Sequence, residues 1–265
     1  MQRHRRTASH YEYFDAPFAA MAHRGGCDGQ LPAALENSLA AFCHAVNDLG
    51  YHYLETDVHA TADGTLIALH DDRLDRVSDM HGVVAELPWQ TVRRARIGGI
   101  EPIPTMDELF EALPHARINI DIKADNAVAP LVAVIRRHHA QSRVCVASFS
   151  PRRLRHFRGL MGDDVAISAS VGAVAWSSFM PLVPELVNCD AQAFQVPASL
   201  SRGRISLPVF TPALRRTARA RDMRIHVWTI DRADQMEELM DHGVDGIVSN
   251  SIAVLRRVAQ ERGLW

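Results

Sequence analysis

The chain has 265 residues, of which 47% are hydrophobic and 23% charged. This is globular composition at the length of a single (β/α) barrel, and it excludes a disordered, collagen-like or low-complexity chain. A formal net charge of −2 with histidine neutral sets up no global field for nucleic acid or an anionic membrane.

Residues 1–10 are basic, but residues 11–17 are polar and aromatic, and the first apolar run, Phe18–Ala22, is too short for a signal segment. Residues 1–16 are therefore expected to form a flexible tail. Residues 17–265 are expected to form one domain, since no linker or composition break follows. No stretch approaches the ~18 apolar residues of a membrane span, so no integral membrane association is expected. Cys27, Cys43, Cys145 and Cys189 lie far apart with no C-x-x-C pair. They fit neither a zinc site nor a disulfide framework, and they suggest a reducing compartment, the cytoplasm.

Strand-like runs follow at residues 18–22, 52–58, 117–122, 144–148, 165–169, 193–196, 224–230 and 246–249. Between them lie amphipathic stretches. Leu39, Phe42, Ala45, Val46 and Leu49 fall at helical spacing within 36–49, and Leu131, Val134 and Ile135 within 127–139. Thr211-Pro212 opens a helix to Arg221, Asp231 caps one over 233–242, and Ser251 caps the last. Strands alternating with helices predict a single-domain (β/α)8 TIM barrel; an open doubly wound sheet is the alternative. The barrel is preferred because the reactive residues sit at C-terminal strand ends of several units.

One run, Thr65–His70, follows the second strand too closely for a parallel crossover. Asp63-Gly64 is a hairpin turn signal. A two-residue turn there sets His70 opposite Asp57. Residues 72–105 lack a clean period and read as an insertion before a helix at 106–113.

Glu55 and Asp57 are two apart on a strand, so their carboxylates share one face. On a barrel strand that face is the interior, where two like charges repel and lose hydration. Either a cation or an Arg or Lys partner resolves this. Asp121 and Lys123 repeat the spacing at the end of another strand. Three carboxylates from two strands make an all-oxygen set suited to Mg²⁺ or Ca²⁺ rather than zinc, although an internal pair of Asp121 with Lys123 or Arg24 would serve as well. His23-Arg24-Gly25-Gly26 after the first strand suits a phosphate, its glycines allowing close backbone approach. His23 and His70, both at strand ends beside carboxylates, suit acid and base work near neutral pH. Trp228 either lines a pocket mouth or packs in the core. His52, His59, His138, His139 and His242 are assigned to the surface or helix ends. The basic run at 151–158 lacks interleaved aromatics, so no nucleic acid is expected.

In combination, AHRGG (22–26), ENSLAAF (36–42), LETDVHATADGTLIALHDDRLDR (54–76), IPTMDEL (103–109), NIDIK (119–123), SFSP (148–151), HVWTID (226–231) and GVDGIVSN (243–250) resemble the glycerophosphodiester phosphodiesterase family. The resemblance covers nearly the whole chain from residue 18. It implies a TIM barrel, and a divalent cation (Mg²⁺ or Ca²⁺, with Mn²⁺ a further candidate) on Glu55, Asp57 and Asp121. It implies His23 and His70 as the acid/base pair and Arg24 on the phosphate, with Glu36 and Lys123 supporting or contacting it. The implied substrate is a small glycerophosphodiester such as glycerophosphocholine, cleaved by water to sn-glycerol 3-phosphate and an alcohol. The family's usual E-I-K is D-I-K here, one methylene shorter, and V-S-N stands where T-D is common, at the glycerol side of the pocket. Two other readings compete. A lysophospholipase D-like enzyme would use the apolar surface of 173–183, and a phosphodiester-binding barrel without turnover would not need two histidines. Nothing in the sequence sets an oligomeric state.

Overall fold

Short apolar runs bracketed by turns associate side by side into a parallel barrel, with the intervening helices packed outside. The computed structural model describes residues 6–27, 33–179, 190–202 and 205–265. In chain order, β1 (Ala19–Cys27) leads through α1 (Leu39–Cys43) to β2 (Tyr53–Ala60), and β3 (Leu66–Ala68) folds back on it. The insertion holds α2 (Trp89–Val92), β4 (Arg96–Ile97) and β5 (Glu101–Pro102). Then follow α3 (Met106–Ala112), β6 (Arg117–Ile122), α4 (Val128–Arg137), β7 (Val144–Ala147), α5 (Pro151–Met161), β8 (Ala166–Ile167), α6 (Val171–Phe179) and β9 (Ala193–Pro197). A hairpin of β10 (Ser199–Arg202) and β11 (Ile205–Pro208) precedes α7 (Pro212–Ala220), β12 (Arg224–Trp228), α8 (Ala233–Asp241), β13 (Gly246–Ser251) and α9 (Ile252–Glu261).

The parallel strands run in the order β8-β7-β6-β2-β1-β13-β12-β9. The ends meet where Ser168 pairs with Ala193 and the Ala169 amide donates to the Ala193 carbonyl at 2.7 Å. This is the expected eight-stranded barrel, not the open sheet. Strand alternation divides each sequence between two cores. In β6, Ile118, Ile120 and Ile122 face the helices and join the outer core, while Asn119 and Asp121 line the interior cavity. A second core inside the barrel contains Met21, Tyr53, Cys145, Ala193 and Val248.

That inner core is closed from below by the segment expected to be a flexible tail. Residues 8–10 and 12–14 form short 3₁₀ turns, and Tyr11, Tyr13 and Phe14 are buried. The Tyr53 hydroxyl donates to the Tyr13 carbonyl at 2.6 Å. Aromatic surface plugging the barrel floor offsets the ordering entropy that a free tail would keep. The insertion likewise builds a small core of its own, with Ile67, Leu69, Leu74, Val84, Val92 and Ile97.

The hairpin forms as expected, antiparallel on β2, but one residue out of register. Val58 pairs with Ala68 and Ala60 with Leu66, and the Leu69 amide donates to the Asp57 carbonyl at 3.0 Å. Leu69, not His70, is therefore level with Asp57. The connection is a three-residue loop, closed by Thr61 N–H to Thr65 C=O at 3.0 Å, with Gly64 at φ +82°. Such loops place glycine in the left-handed region.

Other expectations are corrected. The helix predicted over 36–49 begins at Leu39 behind an Ser38 cap and ends in a π-turn over 44–48. Asp231 does not cap α8, whose N-cap is Arg232. His59 is buried within β2, at neither the surface nor a helix end; His138 does stand at a helix end, capping α4, but half-buried, stacked on Phe110 and 2.7 Å from Asp107.

Candidate active site

Register sets the site in two levels. His23 of β1 pairs with Glu55 of β2, and Glu55 pairs with Asn119 of β6. One step toward the strand ends, Asp57 pairs with Asp121. Because alternate residues of a strand share a face, all five side chains open into one cavity of about 340 Å³ at the C-terminal end of the barrel. His70, Arg24, Lys123 and Trp228 line the same cavity.

Asp57 is the hub. Its Oδ2 lies 3.0 Å from Arg24 Nε and its Oδ1 2.9 Å from Lys123 Nζ. Burial pushes its carboxyl up, but Lys123 and Arg24 outweigh this and hold it below the usual carboxylate range. Lys123 also reaches Asp121 Oδ2 at 2.7 Å. The internal ion pair anticipated as the alternative for Asp121 is thus present, and both aspartates keep it charged: its ammonium is held above its ordinary value although burial opposes this. Among the described residues no Arg or Lys pairs with Glu55. Burial first, and then the negative Asp57 and Asp121, push its carboxyl well up.

The residues of Glu36-Asn37-Ser38 divide the work of holding Arg24. Glu36 Oε1 accepts from Arg24 Nη1 at 3.2 Å. The Asn37 amide donates to the Arg24 carbonyl at 2.8 Å, and Ser38 caps α1. Arg24 itself sits at φ +54°, a conformation that persists in a non-glycine residue only when its surroundings impose it. The two glycines after it leave room for neighbouring helices. A Cβ on Gly25 would lie 2.6 Å from the Ala41 Cβ, and one on Gly26 2.2 Å from Ile252. They are there so that α1 and α9 can pack against the end of β1.

Both histidines are tied down by Nδ1. His23 Nδ1 lies 2.6 Å from Asn250 Oδ1. Asn250 Nδ2 is committed to Asp231 at 2.9 Å, so its oxygen must accept and His23 Nδ1 must carry the proton. Nε2, 3.6 Å from Glu55 Oε2, is then the proton-exchanging atom. Burial, with Arg24 behind it, lowers the His23 pKa, so the ring is neutral near neutral pH. His70 Nδ1 faces Asp71 Oδ1 at 2.5 Å, which fixes the same tautomer. His59 Nε2 lies 3.1 Å from the His70 carbonyl and secures the backbone there.

Five carboxylates (Glu36, Glu55, Asp57, Asp71, Asp121) face three cations (Arg24, Arg76, Lys123) in this region, an excess of two carboxylate groups. Among the described residues Glu55 Oε2 and Asp121 Oδ1 are buried with no hydrogen-bond partner, an expensive state for acceptors. Oxygen-only donors, unsatisfied and in excess of the cations, fit a hard divalent cation held by Glu55, Asp57 and Asp121. Among the described residues no three His, Cys, Asp or Glu side chains are already grouped as a metal cage; Lys123 bridges Asp57 and Asp121.

The opposite wall of the cavity is apolar, formed by Val171, Val174 and Phe179 of α6 with Phe149, Leu200 and Val209. Trp228 stands at its edge, 5.9 Å from Phe149 in a T-shaped contact. Of the apolar stretch 173–183, residues 180–183 lie outside the described residues. Sequence reasoning missed Asn250, Arg76, Asn119 and Phe149. Asn250 was noticed only as a departure on the glycerol side, whereas it holds His23. Alternation would have placed Asn119 beside Asp121 in the interior.

Comparison with known proteins finds relatives over nearly the whole chain. The family model described as "Glycerophosphoryl diester phosphodiesterase family" matches residues 23–254. The Mycobacterium tuberculosis protein named "Probable glycerophosphodiester phosphodiesterase 2" is 42% identical over 251 residues, 93% of this chain and 92% of that protein. Human lysophospholipase D is 24% identical over 273 residues, 89% of this chain and 84% of that protein. An Oleispira antarctica phosphodiesterase, solved in complex with sn-glycerol-3-phosphate, shares the fold with a TM-score of 0.76 at 22% identity, covering 94% of this chain and 99% of that one.

Proposed function

The chain belongs to the glycerophosphoryl diester phosphodiesterase family and is a phosphoric diester hydrolase, and from that premise we propose that it hydrolyses small glycerophosphodiesters to sn-glycerol 3-phosphate and an alcohol. The observation that carries this is the pair of imidazoles, His23 and His70, each anchored at Nδ1, on one cavity with Glu55, Asp57 and Asp121.

In this reading Arg24 binds a phosphoryl oxygen and takes up charge developing there. Glu36 keeps its guanidinium aimed. Lys123, held between Asp57 and Asp121, adds positive charge at the same place. His70 accepts a proton from the attacking hydroxyl, water's or the substrate's own, and Asp71 behind it stabilises the imidazolium that forms. His23, once protonated at Nε2 from solvent, gives that proton to the leaving alcohol, and its lowered pKa makes the imidazolium a strong donor. A divalent cation on Glu55, Asp57 and Asp121 would supply Lewis-acid charge toward the phosphoryl oxygens. Trp228 borders the cavity where the glycerol or alcohol portion would rest.

The apolar wall favours a second reading, a lysophospholipase D-like activity in which an acyl chain lies along Val171, Val174, Phe179 and Leu200. One experiment tests both: a coupled glycerol 3-phosphate assay on glycerophosphocholine, with choline release measured on lysophosphatidylcholine, each with and without EDTA. Turnover of glycerophosphocholine but not of the lysolipid supports the first reading, the converse supports the second, and turnover of neither refutes both.

A further inference from the structure

Arg76 lies in the insertion, outside the cavity lining, and no role follows for it from the mechanism above. It nevertheless joins the two halves of the site. Its Nε donates to Asp71 Oδ2 at 2.6 Å and its Nη2 to Asp71 Oδ1 at 3.2 Å. Nη2 also donates to Glu36 Oε1 at 2.6 Å. Asp71 is the carboxylate that holds His70 Nδ1, and Glu36 is the carboxylate that holds Arg24. One planar guanidinium thus ties the histidine delivered by the hairpin to the arginine delivered by β1.

We propose that Arg76 is a positioning residue for the hydrolytic reaction, a clamp that sets His70 and Arg24 at a fixed separation through Asp71 and Glu36. The proposal rests on the roles given above to those two side chains. Physically the clamp answers a weakness of the fold. His70 stands just past a three-residue β-strand, and its ring is about a third exposed. The backbone there is held by His59, but the partly exposed ring must still be aimed by its side-chain contacts, and a catalytic group out by ~1 Å costs about 10²-fold in rate. Arginine suits the task because its forked, planar donors reach two carboxylates at once, which a lysine's point charge does not do with the same geometry. Asp71 responds to the clamp: the hydrogen bonds from Arg76 bring its carboxyl down to about 2. Asp71 therefore stays ionised as a hydrogen-bond acceptor for His70.

The test is a double-mutant cycle on glycerophosphocholine with thermal melting as the fold control. Arg76→Gln is expected to lower kcat about tenfold or more with a smaller change in KM, and Arg76→Lys to recover part of the loss. Arg73→Gln is the control: Arg73 pairs only with Asp75 among the contacts described, and kcat should not change. In a His70→Ala background Arg76→Gln should cost less than it does in wild type, because one of the two residues it positions is gone. A purely structural role would instead lower the melting temperature and add to the His70→Ala loss. The clamp is overturned if Arg76→Gln stays within twofold of wild type while His70→Ala is impaired, or if the two losses multiply. Near-wild-type turnover in His70→Ala overturns the histidine assignment itself. Independently of any substrate, a crystal structure of Arg76→Gln with Asp71 and Glu36 unmoved would also refute the clamp.

Discussion

Asn250 accepts a hydrogen bond from His23 across 2.6 Å and is itself held by the Asp231 carboxylate through both its side chain and its backbone amide. This three-residue relay from the end of β12 to β13 to β1 sets which nitrogen of His23 meets the substrate. Replacing Asn250 by Leu removes the acceptor and frees the tautomer. We expect kcat to drop at least about tenfold, equivalent to ~1.4 kcal/mol of transition-state stabilisation, with KM little altered. Steady-state kinetics with unchanged kcat would show that the relay does not act on His23.

The histidines themselves should matter more. General acid or base groups contribute about 10²–10⁴-fold each, so His23→Ala and His70→Ala should each lose activity on that scale while melting like wild type. Because both act in one step, the double variant should lose less than the product of the single losses. His139→Ala is the proper control, since His139 is exposed at a helix end. His138→Ala is not, because it breaks a contact with Asp107.

The carboxylates predict metal dependence with a graded response. EDTA should abolish turnover, and Mg²⁺, Ca²⁺ or Mn²⁺ should restore it. Asp121→Ala should weaken cation binding measured by calorimetry, whereas Asp121→Glu restores the longer arm and should retain binding with altered preference. Full activity in chelated enzyme, or calorimetry showing no cation bound by wild type, would rule out the assignment.

Gly64 tests the hairpin. Nothing lies within 4 Å of a Cβ added there, so the cost of a substitution is set by φ +82° alone. Gly64→Val should cost about 1–2 kcal/mol locally and reduce activity by displacing His70. Gly64→Asn, which tolerates the left-handed region, should be milder. Cation affinity should be unchanged in both, which calorimetry would check.

His226 predicts the acid limb of stability. It is fully buried inside the barrel, near Phe14, and burial lowers its pKa to about 3. Its unfolded value is about 6.5. The unfolded state therefore binds the extra proton between these values, so the stability is fully present above about pH 6.5 and declines as pH falls toward 3, by at most about 1.4 kcal/mol per unit. His226→Gln should flatten that window in denaturant titrations. An unchanged slope would assign the acid sensitivity to other groups.

Much of this was written along the chain. Period-two alternation in 53–58 and 117–122 placed Glu55, Asp57 and Asp121 on interior faces, and the eight strand-like runs became the eight barrel strands, because pleat and helix periodicity are local properties of a sequence. The Asp63-Gly64 turn signal likewise placed β3 beside β2. What remained for the tertiary structure were the relations between segments distant in sequence. The hairpin register depended on whether the loop closed over two or three residues, a choice made by Thr61 and by the packing of the insertion beneath it. The fate of residues 6–16 depended on an open barrel floor that those aromatics could fill. Asn250 on His23, Arg76 between Asp71 and Glu36, and Lys123 between Asp57 and Asp121 are each set by where separate strands and loops converge. No periodicity encodes such pairings, because a hydrogen bond between residues 227 positions apart exists only once the barrel has closed.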